Sequence, residues 1–141
     1  MDQVSKNIAT LSAFCTKEIQ TVKLVDKQSE TVQRTLLSAS PDIVVATPAR
    51  AWQNIRSSAL STDRLTHLVL DEADLVLSYG YDEDLRSVSS TLPKGVQTVL
   101  MSATLTTEID TLKGLFCRNP VVLDLEEADA DGEGISQYVV K

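Results

Sequence analysis

Four short runs of mostly apolar residues, separated by segments of helical periodicity, constrain the fold more than any other feature. They cover residues 43–46, 68–70, 96–101 and 121–125. Runs of this length predict strands that are buried on both faces, as in a parallel sheet. Because such strands alternate with helices of about ten residues, the sequence predicts an α/β fold, mainly a parallel sheet with flanking helices.

The segments between the runs carry the signals of helices and of their ends. Helical spacing at the start of the chain predicts an amphipathic helix through Val4, Ile8, Leu11 and Cys15. Thr47 is a suitable N-cap and Pro48 a suitable first helical residue. Further elements are predicted as a short strand over residues 21–25 and as helices over residues 32–37, around Leu85 and Val88, and after Thr106 or Thr107.

The acidic charge of the chain is concentrated near its C-terminal end. The formal net charge is −7, and residues 124–133 contain six acids and no base. The remainder holds 14 acids and 13 bases, a net charge of −1. A chain of this charge is a poor non-specific binder of nucleic acids, although backbone amides and helix N-termini bind phosphates without lysines.

Composition argues against several other classes of protein. No apolar run approaches the about 20 residues of a membrane helix, so no membrane partner is expected. Two cysteines, Cys15 and Cys117, indicate no disulfide framework and favour a reduced intracellular compartment. The single histidine, His67, argues against a multi-histidine metal site.

The second apolar run ends abruptly at the tetrad Asp71-Glu72-Ala73-Asp74. Ligands of an open parallel sheet bind beyond the carboxyl ends of its strands. In phosphoryl transfer to water, a strand-end aspartate holds Mg²⁺ and a neighbouring group orients the attacking water, and Asp71 and Glu72 are placed for these roles. Two such acids are also explained by capping of the next helix, but the complete tetrad favours the catalytic interpretation.

Two further strand ends carry short polar motifs. The hydroxyls of Ser102-Ala103-Thr104 are able to hydrogen-bond a carboxylate on a neighbouring strand. The motif Thr47-Pro48-Ala49-Arg50 would place a helix N-terminus and Arg50 against a phosphate. Taken alone, the first motif is explained by a Ser/Thr turn and the second by ordinary helix capping.

The three motifs together, each after an apolar strand and in this order, resemble the DEAD-box family of ATP-dependent RNA helicases. The resemblance spans essentially the whole chain. It implies a partial RecA-like domain of the P-loop NTPase type, with ATP and Mg²⁺ as cofactors of the complete protein and RNA as its partner. The family has two RecA-like domains, and this chain is similar to part of the first.

The resemblance also implies a role for each motif residue. Asp71 would coordinate Mg²⁺ through water, and Glu72 would activate the hydrolytic water. Asp74 would bond to Ser102 and Thr104, which couples the nucleotide state to RNA binding. The residues implied to bind the RNA backbone are Thr47, Pro48 and Arg50.

A narrower resemblance concerns residues 71–85, DEADLVLSYGYDEDL, and residues 112–120, LKGLFCRNP. Both are similar to nucleolar DEAD-box helicases of large ribosomal subunit assembly. The resemblance implies pre-ribosomal RNA as the substrate, pre-ribosomal proteins among the partners, and localisation in the nucleus and nucleolus.

Several features of the family are missing from the sequence. None of the five glycines opens a Gly-x-x-x-x-Gly-Lys-Ser/Thr phosphate loop, so this chain is not expected to hydrolyse ATP unaided. No Gly-Gly motif lies between Val25 and Ser40, and Ala49 stands where the family usually has glycine. Asp2-Gln3-Val4 resembles the residues just after an RNA motif of the family, so Met1 is expected to lie inside a longer domain.

These observations predict three parts of the chain and leave two classes of function open. Residues 1–125 would be the C-terminal part of a first RecA-like domain, residues 126–134 an acidic linker, and residues 135–141 the first strand of a second domain. The chain is either a fragment of an RNA helicase that couples ATP hydrolysis to duplex unwinding in large ribosomal subunit biogenesis, or a non-enzymatic interaction module. An interaction module would bind its partner through apolar strand edges, which we expect to be exposed because the phosphate-loop strand is missing from the sequence.

Overall fold

The computed structural model describes residues 1–104 and 106–123, in which strands and helices alternate as the sequence predicts. The strands are β1 Thr21–Lys23, β2 Ile43–Val45, β3 His67–Leu70 and β4 Gln97–Leu100. The helices are α1 Asp2–Ser12, α2 Glu30–Ser38, α3 Pro48–Arg56, α4 Ala73–Ser78, α5 Asp82–Ser90 and α6 Thr107–Phe116. Each strand overlaps a predicted strand, with ends that differ by at most two residues, which confirms the α/β class.

The described strands form two parallel ladders. β1 pairs with β2 so that Val22 lies opposite Val44, and β3 pairs with β4 so that Val69 lies opposite Val99. The parallel pairing expected from strands separated by helices is therefore confirmed. Because both partners in each ladder run in the same direction, their carboxyl ends meet at one edge.

The main core lies between the β3–β4 ladder and the helices that follow β2, β3 and β4. Its buried members are Ala73, Leu85, Val88, Ile109, Leu112 and Phe116. Leu68, Leu70 and Leu100 pack against this cluster from the strands, and Trp52 packs against it from α3. Burial of each large apolar side chain stabilises the fold by about 1.5–3 kcal/mol, which fixes the carboxyl ends of β3 and β4 relative to α4 and α6.

The second face of the β3–β4 ladder is exposed, which corrects the prediction that these strands are buried on both faces. Val69 is 56% exposed and its partner Val99 is 44% exposed. The alternation of side chains along a strand places Leu68, Leu70 and Leu100 on the opposite face, towards the core. An apolar run indicates that both faces of a strand are suited to burial. Whether both faces are buried depends on the elements that surround the strand.

The strand predicted over residues 121–125 is wrong for its described part. Residues 121–123 have no regular secondary structure, and Val121, Val122 and Leu123 are exposed. A strand needs a neighbour for its backbone hydrogen bonds, and no described strand pairs with this segment. Residues 124 and 125, the predicted linker 126–134 and the predicted strand 135–141 lie outside the described residues.

The predicted helices are confirmed, except that α1 ends at Ser12 and does not include Cys15, and one helix has no counterpart among the predictions. The additional helix is α4, which has six residues and begins at Ala73, inside the tetrad. The predicted cap of α6 is confirmed in position, because Thr106 is the residue before the helix, although its hydroxyl makes no capping hydrogen bond. Among the described residues, no helix has the length and apolar character needed to cross a membrane.

Candidate functional site

The tetrad is attached to the end of the neighbouring strand by backbone hydrogen bonds that continue past the ladder. The Met101 N–H donates to the Leu70 carbonyl oxygen at 2.8 Å, and the Ala73 N–H donates to the Met101 carbonyl oxygen at 2.9 Å. Ala73 is buried in the main core. Its small side chain and its amide therefore hold the carboxylates on either side of it at the carboxyl edge of β3 and β4.

The backbone of Glu72 adopts a conformation that is unfavourable for a residue with a side chain. Its φ of 50° and ψ of 49° lie in the left-handed region, and the chain turns there from β3 into α4. Glu72 occupies the N-cap position of α4 but its side chain makes no capping hydrogen bond. Both Asp71 and Glu72 are exposed. Capping therefore does not account for the Glu72 side chain.

The structure brings Asp74 together with Thr104. The Thr104 hydroxyl donates to Asp74 Oδ2 at 3.3 Å, and Asp74 Oδ1 accepts from the Leu75 N–H at 3.0 Å. Ser102, the other predicted partner of Asp74, instead accepts a hydrogen bond from the Thr104 N–H through its hydroxyl oxygen at 3.3 Å. The hydrogen bond between Asp74 and Thr104 joins two strand ends that are 30 residues apart along the chain.

The carboxylates at this edge suit a cation that is shared with a bound phosphate. Within residues 1–104 and 106–123, no group of three histidine, cysteine or acidic side chains is arranged to hold a metal ion. Asp71 contributes one exposed carboxylate. Mg²⁺ is commonly bound by one or two carboxylates together with substrate phosphates and several waters, so Asp71 fits this ion only when a phosphate ligand is also present.

The motif Thr47 to Arg50 begins α3 at the end of β2, as the sequence predicts. The Thr47 hydroxyl oxygen accepts from the Arg50 N–H at 3.4 Å, and Pro48 is the first residue of the helix. The Arg50 side chain is bound within the chain, since its Nε donates to Asp26 Oδ1 at 2.7 Å. Within the described residues, no hydrogen bond or ion pair joins this motif to the tetrad.

Three polar residues near this motif escaped the sequence interpretation. Asp26 binds Arg50, while Gln33 and Asn54 are buried and hydrogen-bonded to each other at 2.7 Å. Gln33 lies four residues before Leu37 and shares its buried side of α2, so a glutamine on a buried helical stripe was the available signal. Asp26 lies in a turn 24 residues before Arg50, and no local pattern reveals such a pairing.

Comparisons with known proteins show which family the chain is similar to. The sequence model of the family described as DEAD/DEAH box helicase matches residues 1–112. The ATP-dependent RNA helicase DBP9 of Pyricularia oryzae is 69% identical over 140 residues, which are 99% of this chain and 22% of that protein. The protein of the same name from Botryotinia fuckeliana is 65% identical over 99% of this chain and 23% of its own length. The chain thus spans less than a quarter of the length of these relatives.

A solved structure has a similar fold. The crystal structure of a DEAD box protein from the hyperthermophile Methanococcus jannaschii superposes with a TM-score of 0.70 at 27% sequence identity. The match covers 79% of this chain and 30% of that one.

Proposed function

Because the chain belongs to the DEAD/DEAH box helicase family, we propose that it forms part of an ATP-dependent RNA helicase in which ATP hydrolysis drives RNA duplex unwinding. The hydrogen bond between Asp74 and Thr104 carries this proposal, because it links the strand end proposed to bind nucleotide to the next strand end. The relatives from Pyricularia oryzae and Botryotinia fuckeliana, which carry the name ATP-dependent RNA helicase, support the same activity.

The proposed chemistry assigns different roles to the two exposed carboxylates after β3. Asp71 would hold Mg²⁺ through water together with the phosphates of ATP, and the ion would neutralise charge on the transferred phosphoryl group. Glu72 would orient the attacking water. The phosphate loop that places ATP is not encoded in these 141 residues, so the proposed activity belongs to a longer protein.

The test of hydrolysis uses the complete native protein that carries this chain. We expect RNA-stimulated phosphate release that falls at least roughly 100-fold in Glu72→Gln, since this substitution removes the group that orients water but keeps its size. The isolated 141-residue chain should release no phosphate above the buffer rate. Undiminished release by Glu72→Gln would refute the assigned role of Glu72, and RNA-stimulated release by the isolated chain would refute the need for the rest of the protein.

The coupling role of Thr104 is tested by separating hydrolysis from unwinding. Thr104→Val removes the hydroxyl that donates to Asp74, so we expect RNA-stimulated hydrolysis to persist while strand separation is lost. Thr111→Val is the matched control, because the Thr111 hydroxyl is exposed and, among the described residues, bonds only to the Thr107 carbonyl oxygen within α6. Equal unwinding by both variants would argue against coupling through Thr104.

We also propose that the complete protein acts on pre-ribosomal RNA during large ribosomal subunit biogenesis, in the nucleus and nucleolus. The support is the similarity of residues 71–85 and 112–120 to nucleolar helicases of this process. Depletion of the native protein should lead to accumulation of large-subunit RNA precursors and should leave small-subunit precursors unchanged. Normal processing of both, or exclusion of the tagged protein from the nucleolus, would contradict this role.

A non-enzymatic interaction module is the second candidate, and the exposed apolar face of the β3–β4 ladder favours it. Val69, Val99 and Met101 are all exposed there. The size of the native protein separates the two candidates. An immunoblot band far above 15.4 kDa supports the helicase, whereas a band at 15.4 kDa supports a module that acts through a binding partner.

A further inference from the structure

We propose that Asp26 is an affinity-setting residue of the RNA site, because its carboxylate occupies Arg50 and must be displaced before Arg50 binds an RNA phosphate. The inference rests on the proposed function, in which the motif Thr47 to Arg50 binds the RNA backbone. Asp26 Oδ1 accepts from Arg50 Nε at 2.7 Å, and the Asp26 carbonyl oxygen accepts from Arg50 Nη2 at 3.3 Å. Asp26 thus occupies the edge of the guanidinium formed by Nε and Nη2, which could otherwise bind two oxygens of a phosphate.

The opposite side of the guanidinium is also occupied. Arg50 Nη1 donates to Gln53 Oε1 at 2.7 Å, and Gln53 Nε2 in turn donates to Glu30 Oε1 at 2.5 Å. The Arg50 side chain is only 22% exposed, whereas that of Asp26 is 76% exposed. All three guanidinium nitrogens therefore have partners within the chain, and the Asp26 carboxylate is the more exposed member of its ion pair with Arg50.

Asp26 is held beside Arg50 by a buried polar network. Gln33 Nε2 donates to the carbonyl oxygens of Val25 at 3.2 Å and of Gln28 at 3.1 Å, on both sides of Asp26. Asn54 Nδ2 donates to Gln33 Oε1 at 2.7 Å and to the Arg50 carbonyl oxygen at 2.9 Å. Since Gln33 is 1% and Asn54 is 4% exposed, the network fixes the Asp26 turn relative to α3.

The placement of Asp26 has a direct consequence for a polyanionic ligand. An RNA phosphate that approaches the start of α3 meets the exposed carboxylate before it meets Arg50, and it must also replace an existing ion pair. Exposed ion pairs change an equilibrium constant by up to about fivefold, so Asp26 lowers RNA affinity without abolishing it. A base-independent contact of this kind affects all RNA sequences equally.

The experiment measures binding of a single-stranded RNA to the complete native protein at several salt concentrations, with Asp26→Asn, Arg50→Gln and the double variant. We expect Asp26→Asn to bind roughly threefold to fivefold more tightly, with a slope of log affinity against log salt steeper by about 0.7, as for one added phosphate contact. Arg50→Gln should abolish this gain in the double variant. Asp110→Asn is the matched control, because it also removes one carboxylate from a largely exposed ion pair, that of Asp110 with Lys113 in α6.

The outcomes separate this inference from the function on which it rests. Unchanged or weaker RNA binding by Asp26→Asn, or an equal gain in Asp110→Asn, overturns the role of Asp26 and leaves the helicase proposal standing. If neither the native protein nor any variant binds RNA, the proposed function falls and the role of Asp26 falls with it. Melting temperatures of all variants show whether a loss of RNA binding is caused by unfolding. Asp26→Glu keeps the negative charge, so it should bind RNA with the native affinity.

Discussion

Glu72 has a left-handed backbone although its side chain makes no capping hydrogen bond within the described part of the chain. The left-handed region costs a non-glycine residue roughly 1–2 kcal/mol. The neighbouring amide of Ala73 bonds to the Met101 carbonyl oxygen, and this bond together with the burial of Ala73 maintains the turn. The strain is thus offset by residues around Glu72, and glycine would be the better residue there if stability alone mattered.

Replacement of Glu72 separates stability from activity. We expect Glu72→Gly to raise the free energy of unfolding by about 1 kcal/mol, because glycine adopts the left-handed region without strain. Glu72→Ala is the control that removes the same carboxylate but keeps the strain, and it should leave stability nearly unchanged. Urea unfolding of the 141-residue chain measures both effects. Equal stability of the two variants would show that the backbone of Glu72 is not strained.

The two candidate sites differ in how far residue patterns revealed them. The tetrad and Ser102 to Thr104 each follow an apolar strand directly, so parallel pairing alone predicts that their ends meet, and the Asp74–Thr104 hydrogen bond agrees with this. The partner of Arg50 was not predictable in the same way. Asp26 reaches Arg50 from a turn, through tertiary packing of α2 on α3, and neither turns nor tertiary contacts have a sequence period.

At the scale of elements, helix ends show a feature that the apolar pattern does not reveal. Ser40 and Ser58 follow the C-caps of α2 and α3 with φ values of 54° and 55°. Glycine is the usual residue at this position because it has no Cβ to clash with the preceding carbonyl group. Both helices therefore end in a strained serine, stabilised by backbone hydrogen bonds from Ser40 to Leu37 and from Ser58 to Ile55.

Ser58→Gly should stabilise the chain by about 0.5–1 kcal/mol, because it relieves the left-handed strain at the end of α3. Ser57→Gly is the matched control one residue earlier, where φ is −84° and glycine brings no relief. It should destabilise, since it also removes the hydrogen bond that the Ser57 hydroxyl donates to the Asn54 carbonyl oxygen. Thermal unfolding followed by circular dichroism measures both, and a loss of stability in Ser58→Gly would contradict the argument.

Strand β4 contains a buried hydroxyl group whose energetic cost a substitution should remove. The Thr98 hydroxyl oxygen is buried and has no hydrogen-bond partner among the described residues. An unsatisfied buried polar group costs about 1–3 kcal/mol, so we expect Thr98→Val, which has nearly the same shape, to raise the free energy of unfolding by about 1 kcal/mol. Thr62→Val is the control, because the Thr62 hydroxyl donates to the Thr91 carbonyl oxygen at 2.7 Å and its loss should destabilise. Destabilisation by both substitutions would indicate that the Thr98 hydroxyl has a partner.

The strands were more predictable than their surroundings. Runs of β-branched and other apolar residues located β2, β3 and β4 because a short run flanked by turn signals has few alternatives. α4 was missed because it begins inside the tetrad without a side-chain cap, and its six residues span fewer than two turns, which is too short to show a helical period. The exposure of Val69 and Val99 was not predictable from the runs, because a run does not state which elements cover it.

At the scale of the whole molecule, the predicted family is confirmed by the model that matches residues 1–112, and the partial RecA-like fold is confirmed by similarity to a DEAD box protein. The motifs predicted the family correctly because each consists of a strand end and a few residues with fixed chemical roles. The two described ladders expose apolar surface that a complete open sheet would bury between layers of helices. We therefore expect this surface to influence whether the 141-residue chain self-associates.

The exposed face of the β3–β4 ladder predicts self-association of the 141-residue chain. Val69 and Val99 lie opposite each other, and a contiguous exposed apolar area on a strand pair promotes contact with a second copy. The double variant Val69→Thr/Val99→Thr should shift the chain towards monomer, since threonine keeps the preference for strands but reduces apolar surface. Sedimentation velocity over a range of concentrations measures the shift, and the melting temperature should change little because both side chains are already substantially exposed. Val32→Thr, on the exposed side of α2, is the control for a general loss of apolar surface. The ladder face is not the contact if this variant reduces association as much as the double variant does. The same conclusion follows if the unmodified chain is monomeric at every concentration.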